Sequence, residues 1–185
     1  MNTAISMVRG INVGGQKKVP MDELKGCYES MGFENIRTYI QSGNVVFDCT
    51  DTDTQGLAER LESEIREAFG FDVAVIVRTN GEMMKVIRAF PFTSEEEDFA
   101  HVTFLSKAPA SFPMGDLEKA CGEGEKCVPS GREVYLFCPN GYGRTRLSNS
   151  LFEKKLKVGA TTRNWRTVCA LYALARGASA SDSYE

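Results

Sequence analysis

The chain has 185 residues, of which 42% are hydrophobic and 25% charged, and its formal net charge is −3. This composition is typical of a globular protein with one domain or two small ones, and the charge excludes a global basic field that would recruit nucleic acid or an anionic membrane. No apolar run reaches the roughly 18 residues that span a bilayer, and the N-terminus lacks the features of a secretory signal, so we expect a cytoplasmic protein without a membrane partner.

The first half of the chain predicts strands and helices in the order β-α-β-β-α-β, followed by one further helix. Strands are predicted at 4–8, 36–40, 45–47 and 71–77, and helices at 21–31, 54–69 and 81–90. The clearest helix has Leu57, Leu61 and Ile65 at intervals of four residues, and Asn80 is the expected N-cap of the last one. This order is that of the ferredoxin-like split βαβ arrangement.

Three short patterns recur in the second half in the same order. The pattern at 19–24 recurs at 112–117, Ser42-Gly43 recurs as Ser130-Gly131, and Arg78-Thr79-Asn80 recurs as Arg163-Asn164. Strands are accordingly predicted at 100–105, 126–128, 134–138 and 158–161, and helices at 113–121, 148–156 and 165–176, the last with Asn164 as its N-cap.

The predicted fold class is therefore α+β, with two tandem ferredoxin-like subdomains, each a βαββαβ unit plus an extra helix, related by an internal repeat. The first subdomain is expected to span 1–92 and the second 99–177, with an acidic linker at 93–98 between them. Residues 178–185 are small and polar and are predicted to be a disordered tail.

Catalytic and metal-binding signatures are weak. The six cysteines include no C-x-x-C pair, which excludes the zinc and thioredoxin-like spacings, and buried reduced thiols are expected instead. The single histidine, His101, is expected at the start of a strand, and no Ser-His-Asp or Cys-His pairing can be argued around it. We therefore expect no metal or cofactor, and a non-enzyme rather than an enzyme.

A glycine pair marks the first candidate site, in the loop after the first strand. Gly14 and Gly15 allow positive φ, and Lys17 and Lys18 follow, so the loop could hold a phosphate with backbone N–H groups and ammonium groups. The P-loop spacing is absent, and the acids that begin the next helix oppose an anion. A tight turn with solvated lysines is the alternative.

Topology brings a second loop to the same place. In a ferredoxin-like unit the first two strands run parallel, so the loop after the first strand and the hairpin at 41–44 lie at one end of the sheet. The polar residues expected to converge there are Arg9, Asn12, Gly14, Gly15, Gln41, Ser42 and Asn44. Such a cluster suits recognition of a polar ligand, and a network that only holds the loops together is the alternative.

The start of the last helix is the second candidate site. Thr162, Arg163 and Asn164 precede a helix whose first turn contains no acid, which favours an anion. Arg144, in the glycine-containing loop 139–146, is the further arginine expected to contribute. An N-cap with surface arginines is the alternative, and Trp165 is expected to pack in the core.

Four blocks of this sequence resemble the domain of unknown function family 1697 (DUF1697), a set of small bacterial proteins. The blocks are residues 9–15, residues 39–47, residues 139–141 with Arg144, and residues 161–165 with Thr167 and Val168. The resemblance implies a protein of two α+β subdomains. It brings no established substrate, cofactor or catalytic residue.

The leading functional hypothesis is a binding protein for an anionic or phosphate-bearing small molecule, held by polar loops with Arg9, Arg144 and Arg163. A nucleic-acid-binding module is the alternative, because RRM sheets are ferredoxin-like and Tyr39 and Phe47 are predicted on adjacent strands. Most of the RNP1 pattern is missing and the net charge is acidic, so nucleic acid is the weaker hypothesis. A protein-interaction or structural role without a ligand is the third.

Overall fold

The computed structural model describes residues 1–15 and 17–177 as a mixed α/β protein with two four-stranded antiparallel sheets. The chain forms two compact units. One contains Met1–Lys85 and the described residues from Ala170 onward, and the other contains Val86–Cys169. Every helix within these described residues is too short or too polar to cross a lipid bilayer. The predicted tail at 178–185 lies outside the described residues.

The first unit holds one sheet in the order β2-β3-β1-β4. Its elements are β1 (Asn2–Val8), α1 (Met21–Ser30), β2 (Glu34–Tyr39), β3 (Asn44–Cys49), α2 (Thr54–Phe69), β4 (Val75–Thr79) and the start of α3 (Asn80–Arg88). Because β3 is antiparallel to both β1 and β2, those two strands run in the same direction. The β1–α1 connection and the β2–β3 hairpin therefore lie at one end of the sheet.

One face of this sheet packs against α1 and α2. The apolar i, i+4 spacing of α2 predicts its buried face correctly, since Leu57, Leu61 and Ile65 are all buried. The buried cluster of this unit includes Ala4, Val8, Leu24, Tyr28, Val45, Phe47, Val75 and Val77. The Tyr28 hydroxyl lies 2.7 Å from Ser6 Oγ, so the polar atoms inside this core are paired.

The second unit holds a sheet in the order β6-β7-β5-β8, the order of the first sheet with each strand number raised by four. Its elements are β5 (Ala100–Leu105), α4 (Met114–Ala120), β6 (Lys126–Ser130), β7 (Glu133–Phe137), α5 (Asn149–Leu156), β8 (Ala160–Asn164) and the start of α6 (Trp165–Ala175), with 3₁₀ helices at Ser94–Phe99 and Tyr142–Arg144. Leu105, Leu117, Leu136 and Phe152 are fully buried in its core.

The acidic segment at 93–98, predicted as a linker, is part of the second unit. It forms most of the 3₁₀ helix Ser94–Phe99, whose capping box joins Thr93 and Glu96, and Glu96 also pairs with Lys126. The boundary between the units instead falls between Lys85 and Val86, within α3. Acidic composition is misleading here because a capped and paired helix presents its carboxylates to water just as a linker does.

The N-cap of α3 is Thr79 and not Asn80, so that expectation is wrong. Glu82 N donates to Thr79 Oγ1 over 3.1 Å, and Thr79 N donates to Glu82 Oε2 over 2.9 Å, which is a capping box. Asn80 is already helical, and its Oδ1 is buried without a hydrogen-bond partner among the described residues. Asn164 does cap α6, since its Oδ1 accepts from Thr167 N over 2.8 Å.

Alanine substitution is expected to affect stability differently at Thr79 and at Asn80. Thr79→Ala is expected to lower the free energy of unfolding by about 1 kcal/mol, because it removes the cap. Asn80→Ala is expected to be neutral or stabilising, because it removes a buried acceptor that has no partner. Urea unfolding followed by circular dichroism checks both variants, and a larger loss for Asn80→Ala than for Thr79→Ala would contradict the assignment.

Candidate functional site

The first loop, residues 9–20, joins β1 to α1 with an unusual number of left-handed residues. Positive φ angles occur at Gly10 (70°), Asn12 (56°), Gly14 (61°), Gly15 (76°) and Lys17 (46°). The prediction that the glycine pair adopts positive φ is confirmed. Because glycine pays no Cβ penalty there, the loop can turn tightly at Gly14 and Gly15 and expose its backbone.

The side chain of Asn12 ties this loop to the β2–β3 hairpin. Its Nδ2 donates to Val19 O and to Gln41 O, both over 2.9 Å, and its Oδ1 accepts from Val19 N over 2.8 Å. The structure therefore brings Asn12 and Gln41 together as predicted. Both donor hydrogens of the carboxamide are committed, so Asn12 acts by positioning the loop.

Two polar side chains of the hairpin turn, Ser42 and Asn44, bond to each other. Asn44 is fully buried, and its Nδ2 donates to Ser42 Oγ over 2.7 Å and to Tyr39 O over 3.3 Å. Ser42 and Asn44, both predicted site residues, therefore stabilise the turn itself. A Cβ on Gly43 would lie 2.8 Å from side-chain atoms of Val8 and Ile11, so only glycine fits where the turn approaches the first loop.

A cavity of about 320 Å³ opens between the first loop and the hairpin. This first-loop cavity is lined by Asn12, Gly15, Lys18, Val19, Pro20, Met21 and Gln41. Lys18 is the ionisable side chain in that lining, and it is exposed. No described side chain caps the N-terminus of α1, whose first turn contains Asp22 and Glu23.

The neighbouring cations are placed differently from Lys18. The ammonium group of Lys17 donates to Asp72 O and lies 5.5 Å from the centre of the Phe71 ring. Arg9 is half-buried, and its backbone N–H donates to Ala74 O over 2.8 Å. Neither residue is part of the cavity lining, so Lys18 is the cation that a ligand in this cavity would meet.

Two apolar side chains flank the same loops and were missed by the sequence analysis. Val13 is 66% exposed and Ile40 is 53% exposed. Ile40 also has a φ of 50°, a left-handed conformation that costs a residue with a Cβ about 1–2 kcal/mol. Nothing in the sequence marks such a conformation at an isoleucine, because the left-handed region is normally occupied by glycine, asparagine or aspartate.

In the second unit, the Arg163 and Thr162 side chains of the predicted anion site are hydrogen-bonded to other groups of the protein. Arg163 Nη1 donates to Thr161 Oγ1 over 2.8 Å and to Thr162 O over 2.9 Å, so the guanidinium lies along its own strand. Burial lowers the pKa of Arg163 to about 10, which leaves it charged at neutral pH. Thr162 Oγ1 donates to Asn149 Oδ1 over 2.7 Å and accepts from the Tyr142 hydroxyl over 3.1 Å.

Acidic residues surround the N-terminus of α6. A cavity of about 330 Å³ there is lined by Glu97, Asp98, Asn164, Trp165 and Arg166, and the Arg166 guanidinium lies 3.4 Å from an Asp98 carboxylate oxygen. The carboxylates come from the 3₁₀ helix and oppose an anion at this end. These acids precede α6 by more than sixty residues in the chain, so the residues of the helix itself do not reveal them.

The other residues of the predicted second site are also placed by the structure. Trp165 packs in the core as expected, with its ring stacked 3.8 Å from that of Phe90. Arg144 is exposed at the end of the 3₁₀ helix Tyr142–Arg144, where its backbone N–H donates to Gly141 O. The site therefore stays a prediction, and its charge environment weighs against it.

All six cysteines are free thiols, and burial raises the pKa of Cys127 to about 12 and that of Cys138 and Cys169 to about 11. A thiol with such a pKa is a poor nucleophile at neutral pH. Residues 1–15 and 17–177 contain no group of three or more His, Cys, Asp or Glu side chains placed to hold a metal ion.

The aromatic pair behind the RNA-binding alternative does not share an open sheet surface. Phe47 is fully buried, and the centre of its ring lies 4.6 Å from that of Phe33 and 5.2 Å from that of Tyr28. An RRM stacks bases on aromatic side chains of the exposed sheet face. Phe47 belongs to the core between the sheet and the helices, so it cannot serve that purpose.

Comparison with known proteins finds one family model and a similar solved structure. The family model described as "Protein of unknown function (DUF1697)" matches residues 1–135. The conserved bacterial protein SP0830 from Streptococcus pneumoniae has a similar structure, with a TM-score of 0.71 and 24% sequence identity over 94% of this chain and 98% of that one. No functionally curated protein matches the chain.

Substitution of Asn12 tests whether its carboxamide positions the loops. Asn12→Gly tolerates the positive φ but loses the three hydrogen bonds, so the free energy of unfolding is expected to fall by about 1–2 kcal/mol. Asn12→Ala loses the same bonds and adds left-handed strain, so its loss should be about 1 kcal/mol larger. Urea titration measures both losses, and an Asn12→Gly protein as stable as the wild type would refute the positioning role.

His101 predicts a dependence of stability on pH. Its ring stacks on Tyr142 with centres 4.9 Å apart, and burial lowers its pKa. The unfolded chain then binds more protons than the folded one below the ordinary histidine pKa of about 6.5, so stability falls as the pH drops from 7.5 to 5.5. His101→Phe keeps a stacked ring without titrating, so unfolding experiments should show a flatter profile. Identical profiles for the two proteins would contradict this.

Proposed function

The chain belongs to the DUF1697 family, whose description assigns no function, and we propose from the geometry of its first loop that it is a binding protein for a small anionic or phosphate-bearing molecule. The ligand occupies the first-loop cavity. Lys18 supplies the positive charge, and Gly15 and Gln41 supply polar groups from the lining. Free thiols suit a reducing compartment, so we place this activity in the cytoplasm.

The observation that carries this proposal is a cavity of small-molecule size in a fixed framework. Its volume of about 320 Å³ lies at the lower end of the range typical of ligand sites. The Asn12 carboxamide bonds both walls, so little ordering is required when a ligand binds. Asp22 and Glu23 on α1 oppose an anion at the helix end, which makes Lys18 and the loop backbone the expected contacts.

A protein-interaction role is the second candidate, and it is favoured by the exposed Val13 and Ile40. Apolar side chains on adjacent loops suit contact with another surface. Nucleic-acid binding has less support, because the net charge is −3 and Phe47 is buried. Arg144, in the second unit, stays a prediction for an anion contact of that unit, and Arg144→Ala in the assay below tests it.

We also propose that the two units are tandem ferredoxin-like subdomains related by an internal repeat. Their strand orders are equivalent, and Pro20 and Pro113 occupy the N-cap positions of α1 and α4. Arg78 pairs with Ile5 of β1, and Arg163 pairs with Val102 of β5, in the same register position of each sheet. This register aligns Thr79, not Asn80, with Asn164.

Thermal unfolding with added anions tests the ligand. Phosphate, sulfate and common nucleotides are expected to raise the Tm of the wild type, because a ligand that binds only the folded state stabilises it by about 2.7 kcal/mol at one hundred times its Kd. Lys18→Ala should abolish the rise while leaving the ligand-free Tm nearly unchanged. Lys25→Ala is the matched control, since Lys25 lies on α1 and pairs with Glu29.

Two outcomes would refute the anion-binding proposal. The first is a Tm that no anion changes in the wild type. The second is an equal rise in the Lys18→Ala and Lys25→Ala proteins, since the effect would then be a general salt effect. A titration with mixed single-stranded RNA at several salt concentrations separates the nucleic-acid alternative, because binding through phosphate contacts weakens steeply with salt.

A further inference from the structure

We infer that the ligand of the first-loop cavity is amphiphilic, carrying an alkyl or aryl group on its anionic head. This inference rests on the proposed function and names the class of ligand more narrowly. It follows from the apolar rim, which we define as Val13 and Ile40, and from the apolar part of the cavity lining. An organic phosphate monoester has the required chemistry.

Each residue of the apolar rim is the chain neighbour of a residue that lines the cavity. Val13 follows Asn12 in the first loop, and Ile40 precedes Gln41 in the hairpin turn. Asn12 Nδ2 donates to Gln41 O over 2.9 Å, which joins the two segments. Asn12 and Gln41 both line the cavity, so each rim residue is covalently next to a lining residue.

The conformation of Ile40 is not explained by the stability of the fold. Its φ of 50° suits asparagine or glycine, and its side chain is 53% exposed, so packing offsets little of the strain. Strained residues that persist without a packing gain are concentrated at functional sites. An apolar group of a ligand would bury the exposed side chain of Ile40 and so offset the strain at this position.

The lining of the cavity combines charge with apolar surface. Pro20, which is exposed, and Met21, which is half-buried, supply apolar surface close to Lys18, the charged member of the lining, whereas Val19 is buried. Inorganic phosphate would pair with the ammonium group and leave this apolar surface in water. A phosphate that carries a short carbon chain covers both, and its affinity gains from the apolar area removed from water.

A series of phosphates of increasing chain length tests the inference. Inorganic, ethyl, butyl and hexyl phosphate are titrated into the wild type by calorimetry, with the Tm of each complex as a second measurement. Each methylene is expected to tighten binding by roughly twofold to fourfold, the upper value corresponding to full burial. The gain in affinity should level off once the alkyl chain is longer than the cavity. A gain in affinity that continues through the whole series would indicate adsorption to the surface or to micelles and would overturn the inference.

Substitutions in the rim identify where the chain binds. Ile40→Asn should remove most of the chain-length dependence, keep the affinity for inorganic phosphate and raise the ligand-free Tm, because asparagine tolerates the left-handed backbone. Ile40→Val keeps an apolar side chain and should retain the dependence. Val128→Ser removes an exposed apolar residue of the second unit and should change nothing.

The outcomes separate this inference from the proposed function. Binding of all four phosphates with equal affinity would overturn the amphiphilic class and leave anion binding intact. Binding of none of them would overturn the proposed function itself. Alkylammonium ions of the same chain lengths are the charge control, because binding them with the same affinity as the phosphates would overturn the anionic class. Dependence on chain length that is lost in Ile40→Asn and kept in Ile40→Val supports the inference.

Discussion

The hydrogen bonds of the Asn12 side chain determine the geometry of the candidate site. One carboxamide bonds Val19 near the end of the first loop and Gln41 in the hairpin opposite, and it does so from a left-handed backbone that asparagine tolerates better than most residues. The cavity is lined by residues of the two segments that this connection joins. The same bonds leave Asn12 with no donor for a ligand, so the residue that builds the site is not one that recognises its occupant.

The two sheets have the same strand order, yet they provide different surfaces at equivalent ends. Val8 N donates to Gly43 O over 2.9 Å in the first unit, and Leu105 N donates to Arg132 O over 2.8 Å in the second. In the second unit the turn between β6 and β7 contains two residues instead of four. The wider turn and the glycine pair of the first unit give that end room for a cavity between its loops.

Charge at a helix N-terminus is decided by spatial neighbours as well as by sequence neighbours. The first turn of α6 contains no acid, but Glu97 and Asp98 reach the same place from the preceding 3₁₀ helix. The first turn of α1 contains two acids, yet the cavity beside it is lined by Lys18. Local sequence gives the intrinsic preference of a helix end, and tertiary contacts then determine the electric field that a ligand experiences.

The sequence by itself determined those features that depend on local pattern. Hydrophobic periodicity located α2 and its buried face, residue type identified the Gly14-Gly15 turn and the Asn164 cap, and the order of elements implied that the first loop and the hairpin share one end. The family was also recognisable from short blocks. Each of these rests on neighbours within a few residues or on chain order.

Only the tertiary structure decided which polar groups are used within the fold and which face a ligand. Asn12, Ser42, Asn44 and Arg163 bond to partners that sequence reasoning could not assign, and Ile40 adopts a conformation that its residue type disfavours. A hydrogen bond forms or fails with differences of a few tenths of an ångström in the distance between donor and acceptor. A sequence pattern specifies the candidates for such bonds, whereas the packed backbone selects which of them form.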